Sequence, residues 1–108
     1  MVASAALLSA TTVYAAGKTT KETFEFNGQK RTYYLFVPDD AQGARPLIVL
    51  LHGSGRDGRS LLDPWRSLAQ KEGILLAGPE SKVREGWGMR DDGPQFLYDL
   101  VETIKKSQ

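Results

Sequence analysis

Residues 47–58, LIVLLHGSGRDG, decide the fold, because an uninterrupted apolar run ends there in a glycine-rich loop. The five aliphatic residues Leu47–Leu51 show no alternation, which is typical of a strand covered on both faces of a parallel sheet. The chain's single histidine, His52, follows directly, and three glycines come within the next six residues. Loops of this kind surround a nucleotide phosphate in some proteins and direct backbone N–H groups at an oxyanion in others.

Residues 21–38, before this run, predict a β-hairpin. Asn27-Gly28 is the turn, since a type I′ turn needs positive φ at both central residues. Counting outward from the turn places Glu25 opposite Lys30, a favourable cross-strand pair. The apolar side chains alternate along both strands and share one face: Phe24, Phe26, Tyr33, Leu35 and Val37.

After the glycine loop the sequence predicts a helix and then a second buried strand. Asp63-Pro64 combines an N-cap residue with proline at the first helical position, and Gly73 closes the helix as its C-cap. Residues 74–77 form the second strand, which Gly78-Pro79 ends. The apolar stripe of this helix consists of Leu61, Leu62, Trp65, Leu68 and Ala69.

A loop over residues 81–91 and a second helix complete the chain. Residues 92–95 begin this helix, and we expect Asp91 and Asp92 to be charges that favour a helix N-terminus. Its apolar stripe consists of Phe96, Leu97, Leu100, Val101 and Ile104. The order of hairpin, strand, helix, strand and helix indicates an α/β sheet protein.

The composition excludes several classes of site. A chain of 108 residues has room for one small domain. Fourteen basic and thirteen acidic side chains leave a net charge of +1 with no basic run, which argues against a nucleic-acid partner. Without cysteine there is no disulfide, thiolate nucleophile or zinc–thiolate site, and a single histidine argues against a histidine-rich metal centre. We therefore expect neither a metal ion nor a cofactor.

Residues 1–16 predict a secretory signal peptide or a disordered tail. They are uncharged and rich in Ala, Ser and Thr, and Val13-Tyr14-Ala15 has the small-x-small pattern of a signal-peptidase site. No positive charge precedes Lys18, so a signal peptide would need further residues before Met1. The stretch is too short and too hydroxylated to span a bilayer. We expect a secreted or periplasmic protein with no membrane span, in which residues 17–108 form the folded domain.

The loop Gly53–Gly58 also fits the G-x-G-x-x-G pattern of dinucleotide-binding sheets, with Glu80 near the place of the ribose acid. In that fold the helix starts within the glycine pattern, so that its N–H groups meet the pyrophosphate. Here a helix begun at Gly55 would carry Pro64 in its interior, at a cost of about 3 kcal/mol. Pro79 also interrupts the path to Glu80. A dinucleotide-binding fragment therefore ranks below the oxyanion interpretation, and a loop that turns without any ligand is a further alternative.

The order and spacing of these elements resemble the first part of α/β-hydrolases. An aliphatic strand ending in His-Gly is similar to their third strand and oxyanion loop, and residues 62–80 are similar to their first helix and fourth strand. RTYYLFVP at 31–38, LHG at 51–53 and PE at 79–80 resemble secreted esterases of the polyhydroxybutyrate-depolymerase and feruloyl-esterase type. Phospholipase/carboxylesterase-type and dienelactone-hydrolase-like members look similar here. The resemblance spans residues 22–107.

The resemblance implies an oxyanion loop formed by His52, Gly53, Ser54 and Gly55, with the backbone N–H of Ser54 as donor. It makes His52 a structural residue and not the general base. Trp87 could line a substrate pocket, although an aromatic residue that closes a loop over the core is the commoner case. No serine has glycine at both −2 and +2, and there is no second histidine. The nucleophile, acid and base of the triad are therefore missing, so we expect this chain alone to be inactive.

The sequence thus predicts an α/β fold that is the N-terminal part of an α/β-hydrolase sheet, a β-hairpin followed by β-α-β-α, truncated before the nucleophile-elbow strand. The implied parent is a serine ester hydrolase acting on a small-molecule or polymer ester of the polyester, feruloyl or short-acyl class. The alternative is a non-catalytic module that pairs through its open sheet edge. Under either interpretation Leu47–Leu51 lacks the fifth strand beside it, so we expect the isolated chain to self-associate.

Overall fold

A computed structural model describes residues 17–40 and 43–108, and within them it shows a four-stranded mixed sheet with helices on both faces. The elements are β1 (Lys18–Phe26), β2 (Gln29–Val37), β3 (Leu47–Val49), α1 (Gly58–Leu62), a 3-10 turn (Asp63–Trp65), α2 (Arg66–Glu72), β4 (Leu75–Pro79), α3 (Met89–Asp92) and α4 (Pro94–Ser107). The predicted signal peptide or tail, residues 1–16, lies outside the described residues.

The strands follow the order β1-β2-β4-β3. β1 and β2 are antiparallel, β2 pairs antiparallel with β4, and β3 pairs parallel with β4. The chain therefore leaves the hairpin, crosses to the far edge of the sheet to form β3, and returns through α1 and α2 to place β4 between β2 and β3. This order confirms the predicted α/β fold class.

The hairpin confirms its prediction in register and in turn type. Asn27 and Gly28 have φ of 51° and 75°, the positive values that a type I′ turn requires. Glu25 lies opposite Lys30. The predicted inner face is buried, with Val37 partly buried at its end.

Each face of the sheet carries an apolar core. The core between the sheet and α4 consists of buried side chains from both: Phe24, Phe26, Tyr33, Leu35, Leu75, Ala77, Phe96, Leu100 and Ile104. The core between the other face of the sheet and α1 and α2 consists of Phe36, Leu62, Ala69 and Leu76. The predicted stripe of α4 is confirmed. The predicted stripe of the first helix is only partly right, because Trp65 and Leu68 are 46% and 49% exposed.

The first helix begins earlier than the sequence predicts, and this explains its broken stripe. Asp57 is the N-cap of α1, and its side chain accepts a hydrogen bond of 2.8 Å from the Ser60 N–H. That backbone hydrogen bond is the main reason why the pKa of Asp57 lies below its ordinary value. The predicted cap at Asp63 is wrong, since Pro64 stands inside a 3-10 turn that separates α1 from α2 and shifts the angular phase of the side chains. The C-cap at Gly73, with φ of 70°, is confirmed.

β3 is shorter and less covered than the sequence predicts. It spans three residues at an edge of the described sheet, and Ile48 and Leu51 are 43% and 46% exposed. The prediction of a strand covered on both faces is therefore wrong within the described residues. Only β4 flanks β3 there, so its aliphatic side chains lack the second neighbour that a central strand has.

Two facing glycines let α1 approach β4 at backbone distance. A Cβ on Gly78 would lie 2.6 Å from the Gly58 carbonyl oxygen, and a Cβ on Gly58 would overlap the Gly78 carbonyl group. Because both neighbours are backbone atoms, neither can move aside without shifting the helix or the strand. Gly58 and Gly78 therefore set how close the start of α1 lies to the sheet.

We expect Gly78→Ala to lower the free energy of unfolding by about 3 kcal/mol or more, because the new methyl group must push α1 away from β4. Gly86→Ala is the matched control, since a Cβ there has no atom within 4 Å. Chemical denaturation followed by circular dichroism compares the two variants. Equal free energies of unfolding for the two variants would show that α1 and β4 can separate enough to accept a methyl group.

Candidate functional site

The loop between β3 and α1 leaves several backbone N–H groups without an acceptor among residues 17–40 and 43–108, and that of Ser54 is one of them. The Gly55 N–H donates to the Arg84 carbonyl at 3.0 Å, and the Arg56 N–H donates to the Gly53 carbonyl at 3.0 Å. The Ser54 N–H, which lies between these two, donates to no group within residues 17–40 and 43–108. Ser54 is exposed and stands beyond the carboxyl end of β3. A fixed loop with an available N–H group is the arrangement that stabilises a developing negative charge on oxygen.

His52 is enclosed beneath this loop. Its Nδ1 lies 2.8 Å from the Gly53 carbonyl oxygen, and its Nε2 accepts a hydrogen bond of 3.3 Å from the Ser81 N–H. The Glu80 carboxylate is 3.4 Å from the same Nε2. Only 1% of the side chain is exposed. Both ring nitrogens thus contact the protein, and the ring joins the start of the loop to the segment after β4.

Trp87, in the loop that follows β4, contacts His52. Its indole N–H donates to the His52 carbonyl at 2.9 Å, and the two rings lie 4.7 Å apart. The indole also packs against the core under α4. Trp87 therefore joins the core to the loop between β3 and α1; its contact with a substrate stays a prediction.

Glu80 holds the N-terminus of α1, where the dinucleotide interpretation would place a phosphate. Its carboxylate accepts a hydrogen bond of 3.1 Å from the Gly58 N–H. The helix does begin within the glycine pattern, so the objection based on Pro64 was wrong, since the 3-10 turn accommodates the proline. A carboxylate already placed at this N–H group would repel a pyrophosphate. The antiparallel pairing of β2 with β4 also departs from an all-parallel dinucleotide-binding sheet.

A buried ion pair, which the sequence analysis missed, positions the loop that carries Trp87. The side chains of Arg31 and Asp92 are 6% and 1% exposed and form a direct salt bridge. Asp92 also accepts hydrogen bonds from the backbone N–H groups of Lys82, at 3.1 Å, and Gly88, at 2.8 Å. One carboxylate thus fixes both ends of the segment 82–88. Asp92 does stand in the first turn of a helix, α3, but its partners are a buried guanidinium and the backbone of this loop, which the sequence did not predict.

Arg31 is held on three sides in addition to the ion pair. Its guanidinium donates to the carbonyl oxygens of Asp91, at 2.7 Å, and Glu80, at 3.2 Å, and lies 4.1 Å from the centre of the Phe96 ring. The sequence did carry a signal for this role. Arg31 falls on the same face of β2 as Tyr33 and Leu35, and a charge on a core face needs a buried partner.

The described part of the chain contains neither a metal-binding cluster nor a membrane-spanning helix. Residues 17–40 and 43–108 contain no cluster of three or more His, Cys, Asp or Glu side chains that could hold a metal ion. Among the same residues, no helix has the length and apolar character needed to cross a membrane.

Comparison with known proteins places this geometry in an established fold. No protein-family model and no curated protein matches the chain. A solved structure designated FAE superposes with a TM-score of 0.65 at 14% identity, over 84% of this chain and 36% of that one. A ferulic acid esterase superposes with a TM-score of 0.60 at 18% identity, over 84% of this chain and 42% of that one. This is an esterase-type α/β fold.

The likeness to esterases confirms the predicted fold class and the resemblance from which it came. At these low identities it establishes the fold and not the activity. The chain spans well under half the length of either structure. The role of the loop between β3 and α1 as an oxyanion loop stays a prediction.

We expect Asp92→Asn to lower the free energy of unfolding by about 3–5 kcal/mol, because it leaves the Arg31 charge buried without a counter-charge. Asp91→Asn is the matched control, since Asp91 pairs with Lys82 at 3.4 Å on the surface and such a pair contributes about 0–1 kcal/mol. Urea denaturation of both variants gives the two values. If Asp92→Asn lowered the free energy of unfolding no more than Asp91→Asn does, the ion pair would not be what holds the segment 82–88.

Proposed function

We propose that this chain forms the oxyanion-loop part of a secreted serine ester hydrolase. The observation that carries the proposal is the available Ser54 N–H, held beyond the carboxyl end of β3 in an esterase-type fold. His52 and Trp87 hold the loop from beneath, so the donor is in place before any substrate arrives. Donors that need no rearrangement during the reaction contribute most to transition-state stabilisation.

In the proposed reaction the Ser54 N–H stabilises the tetrahedral intermediate of acyl transfer. A serine hydroxyl on a neighbouring strand attacks the ester carbonyl carbon, a base accepts the hydroxyl proton, and the carbonyl oxygen becomes an oxyanion. Collapse of the intermediate breaks the ester C–O bond, the protonated base gives its proton to the departing alcohol, and the acyl-enzyme that remains is hydrolysed by water. The Ser54 N–H supplies one hydrogen bond to the oxyanion, and the residue after the nucleophile supplies a second in this fold.

The serine and histidine that do meet in this chain are poorly suited to serve as nucleophile and base. Ser81 Oγ lies 3.2 Å from His52 Nε2, which is a reach found in catalytic pairs. However, the Ser81 hydroxyl donates a hydrogen bond of 2.6 Å to the Val83 carbonyl oxygen, and the imidazole is buried. The proposal therefore assigns the nucleophile, acid and base to sequence outside these 108 residues.

The proposed substrate is a carboxylic ester of a small molecule or a polymer. Polyester, feruloyl and short-acyl esters fit the resemblance, and the name of one structural neighbour makes a ferulic ester the first compound to test. The uncharged residues before Lys18 support export from the cytoplasm.

The coding sequence beyond the codon for Gln108 tests the proposal first. We expect it to continue, directly or after a frame shift of one base, into an aliphatic strand followed by G-x-S-x-G. The extended product should hydrolyse methyl ferulate or p-nitrophenyl acetate and react with a fluorophosphonate probe, whereas the 108-residue chain should do neither. A stop codon followed by unrelated sequence would refute the proposal.

Within that extended enzyme, we expect Ser54→Pro to lower kcat by about 100- to 1,000-fold, because proline has no N–H to donate. Ser54→Ala keeps the backbone donor and should retain activity, which also tests whether the hydroxyl takes part. Circular dichroism of both variants checks that they fold. Full activity in Ser54→Pro would place the oxyanion donor elsewhere.

The alternative, a non-catalytic module that pairs through its open edge, is favoured by the exposure of β3. Ile48 and Leu51 are about half exposed, and β3 lies at an edge of the described sheet. An uncovered aliphatic edge strand offers unpaired backbone groups to a second chain. Both interpretations therefore predict that the isolated chain self-associates, and only the coding sequence separates them.

We expect Ile48→Lys to convert the self-associating chain to a monomer, because a charge on an edge strand opposes pairing with another chain. Tyr98→Lys adds the same charge at an exposed position of α4 and should leave association unchanged. Light scattering after size-exclusion chromatography gives the mass of each variant. A wild-type chain that is already monomeric would contradict the edge-pairing model.

A further inference from the structure

A basic groove runs along the hairpin side of the sheet. It consists of two adjoining hollows of about 420 and 460 Å³, both lined by Tyr34, Glu80, Ser81 and Lys82. The first hollow extends towards the hairpin turn and is lined there by Lys21 and Lys30. Each hollow has the volume of an ordinary small-molecule site, so together they suit an extended ligand.

The groove concentrates positive charge in a protein that is almost neutral. Seven of the fourteen Lys and Arg residues line it, against two of the thirteen Asp and Glu residues. Both acids already accept backbone hydrogen bonds at the start of α1, Asp57 from Ser60 and Glu80 from Gly58. A concave surface with one dominant sign of charge attracts ligands of the opposite sign, and here these are anions.

The cations without an ion pair stand at both ends of the groove. Arg31 and Lys82 are paired with carboxylates, as described above. Within residues 17–40 and 43–108, Lys21 and Lys30 near the hairpin form no salt bridge, and neither do Arg56 and Arg59 at the far end. An anion bound at one end would satisfy only part of this charge. The arrangement therefore fits a polymer with repeated negative charges.

Tyr34 forms the centre of the groove, where the two hollows join. Its ring is half-buried on the core under α1 and α2, opposite Lys21 on the neighbouring strand. A tyrosine presents an apolar ring and a hydroxyl together, which suits the face and the hydroxyl groups of a sugar ring. Sites that bind single-stranded nucleic acid stack successive bases on several aromatic residues, and among residues 17–40 and 43–108 only Tyr34 brings an aromatic ring to this groove.

The groove also adjoins the oxyanion loop. Arg84 lines the second hollow, accepts the hydrogen bond from the Gly55 N–H, and donates from its own Nε to the Gly55 carbonyl at 3.1 Å. A chain lying in the groove would therefore pass beside the loop that carries Ser54. From these observations we propose that the groove binds a carboxylate-bearing polysaccharide, a polyuronate, and holds it next to the oxyanion loop. The charge and shape stand by themselves, while the choice of a polysaccharide over other polyanions rests also on the proposed ester hydrolase.

The test measures binding of polygalacturonate to the 108-residue chain by isothermal titration calorimetry. We expect saturable binding that weakens steeply as NaCl rises, and no binding of dextran, a neutral polysaccharide. The variant Lys21→Gln/Arg59→Gln removes one cation from each end and should weaken binding about tenfold or more. The matched control Lys71→Gln/Lys106→Gln removes the same charge from exposed positions outside the groove and should change the affinity less than about twofold.

Three results would overturn the inference. Polygalacturonate would fail to bind, both double variants would lose affinity equally, or a single-stranded oligodeoxynucleotide of equal charge would bind as tightly and respond to the same variants. The last result would make the groove a nucleic-acid site. Because the measurement reads binding and not hydrolysis, its failure leaves the esterase proposal standing, and an inactive extended enzyme leaves the binding result standing.

Discussion

The buried pair of Arg31 and Asp92 is the constraint on which the rest of the site depends. It connects the second strand of the hairpin to the end of α3, and Asp92 holds both ends of the segment 82–88. Trp87 lies in that segment and reaches the His52 carbonyl. Arg84 lies in it too and accepts from the loop at Gly55. The position of the Ser54 N–H thus follows from a charge pair on another element.

Burying two charges costs several kcal/mol for each ion, and their attraction recovers that cost only when the remaining hydrogen bonds are satisfied. Here Arg31 donates to two carbonyl oxygens in addition, and Asp92 accepts from two backbone N–H groups. A hydrophobic pair of equal volume could fill the space but could not hold the loop by its polar backbone. The ion pair therefore accounts for the position of the segment 82–88, whereas an apolar pair could give the protein an equal free energy of unfolding.

The glycine loop shows why the pattern G-x-G-x-x-G cannot by itself identify a phosphate site. Gly58 satisfies the last position of G-x-G-x-x-G, and α1 starts there, as in a dinucleotide-binding fold. Its contact with Gly78 brings the helix onto β4, which places Glu80 within hydrogen-bond reach of the Gly58 N–H. The protein's own carboxylate takes the place of a phosphate, and the Ser54 N–H, four residues earlier, has no acceptor among residues 17–40 and 43–108.

Local chemistry alone determined the hairpin with its turn and register, the C-cap at Gly73 and the apolar stripe of α4. Each depends on residues close in sequence, through positive φ, strand alternation or helical spacing. The resemblance carried by the order of the elements also named the esterase-type fold.

Tertiary structure decided the start of α1, the exposure of β3, the burial of Asp92 and the gathering of cations into one groove. Asp92 and Arg31 are 61 residues apart, and the groove joins the hairpin, the start of α1 and the segment after β4. Periodicity describes which face of an element is apolar, but it does not say which elements meet. That choice depends on strand order and on backbone contacts such as Gly58 with Gly78, which local sequence leaves open.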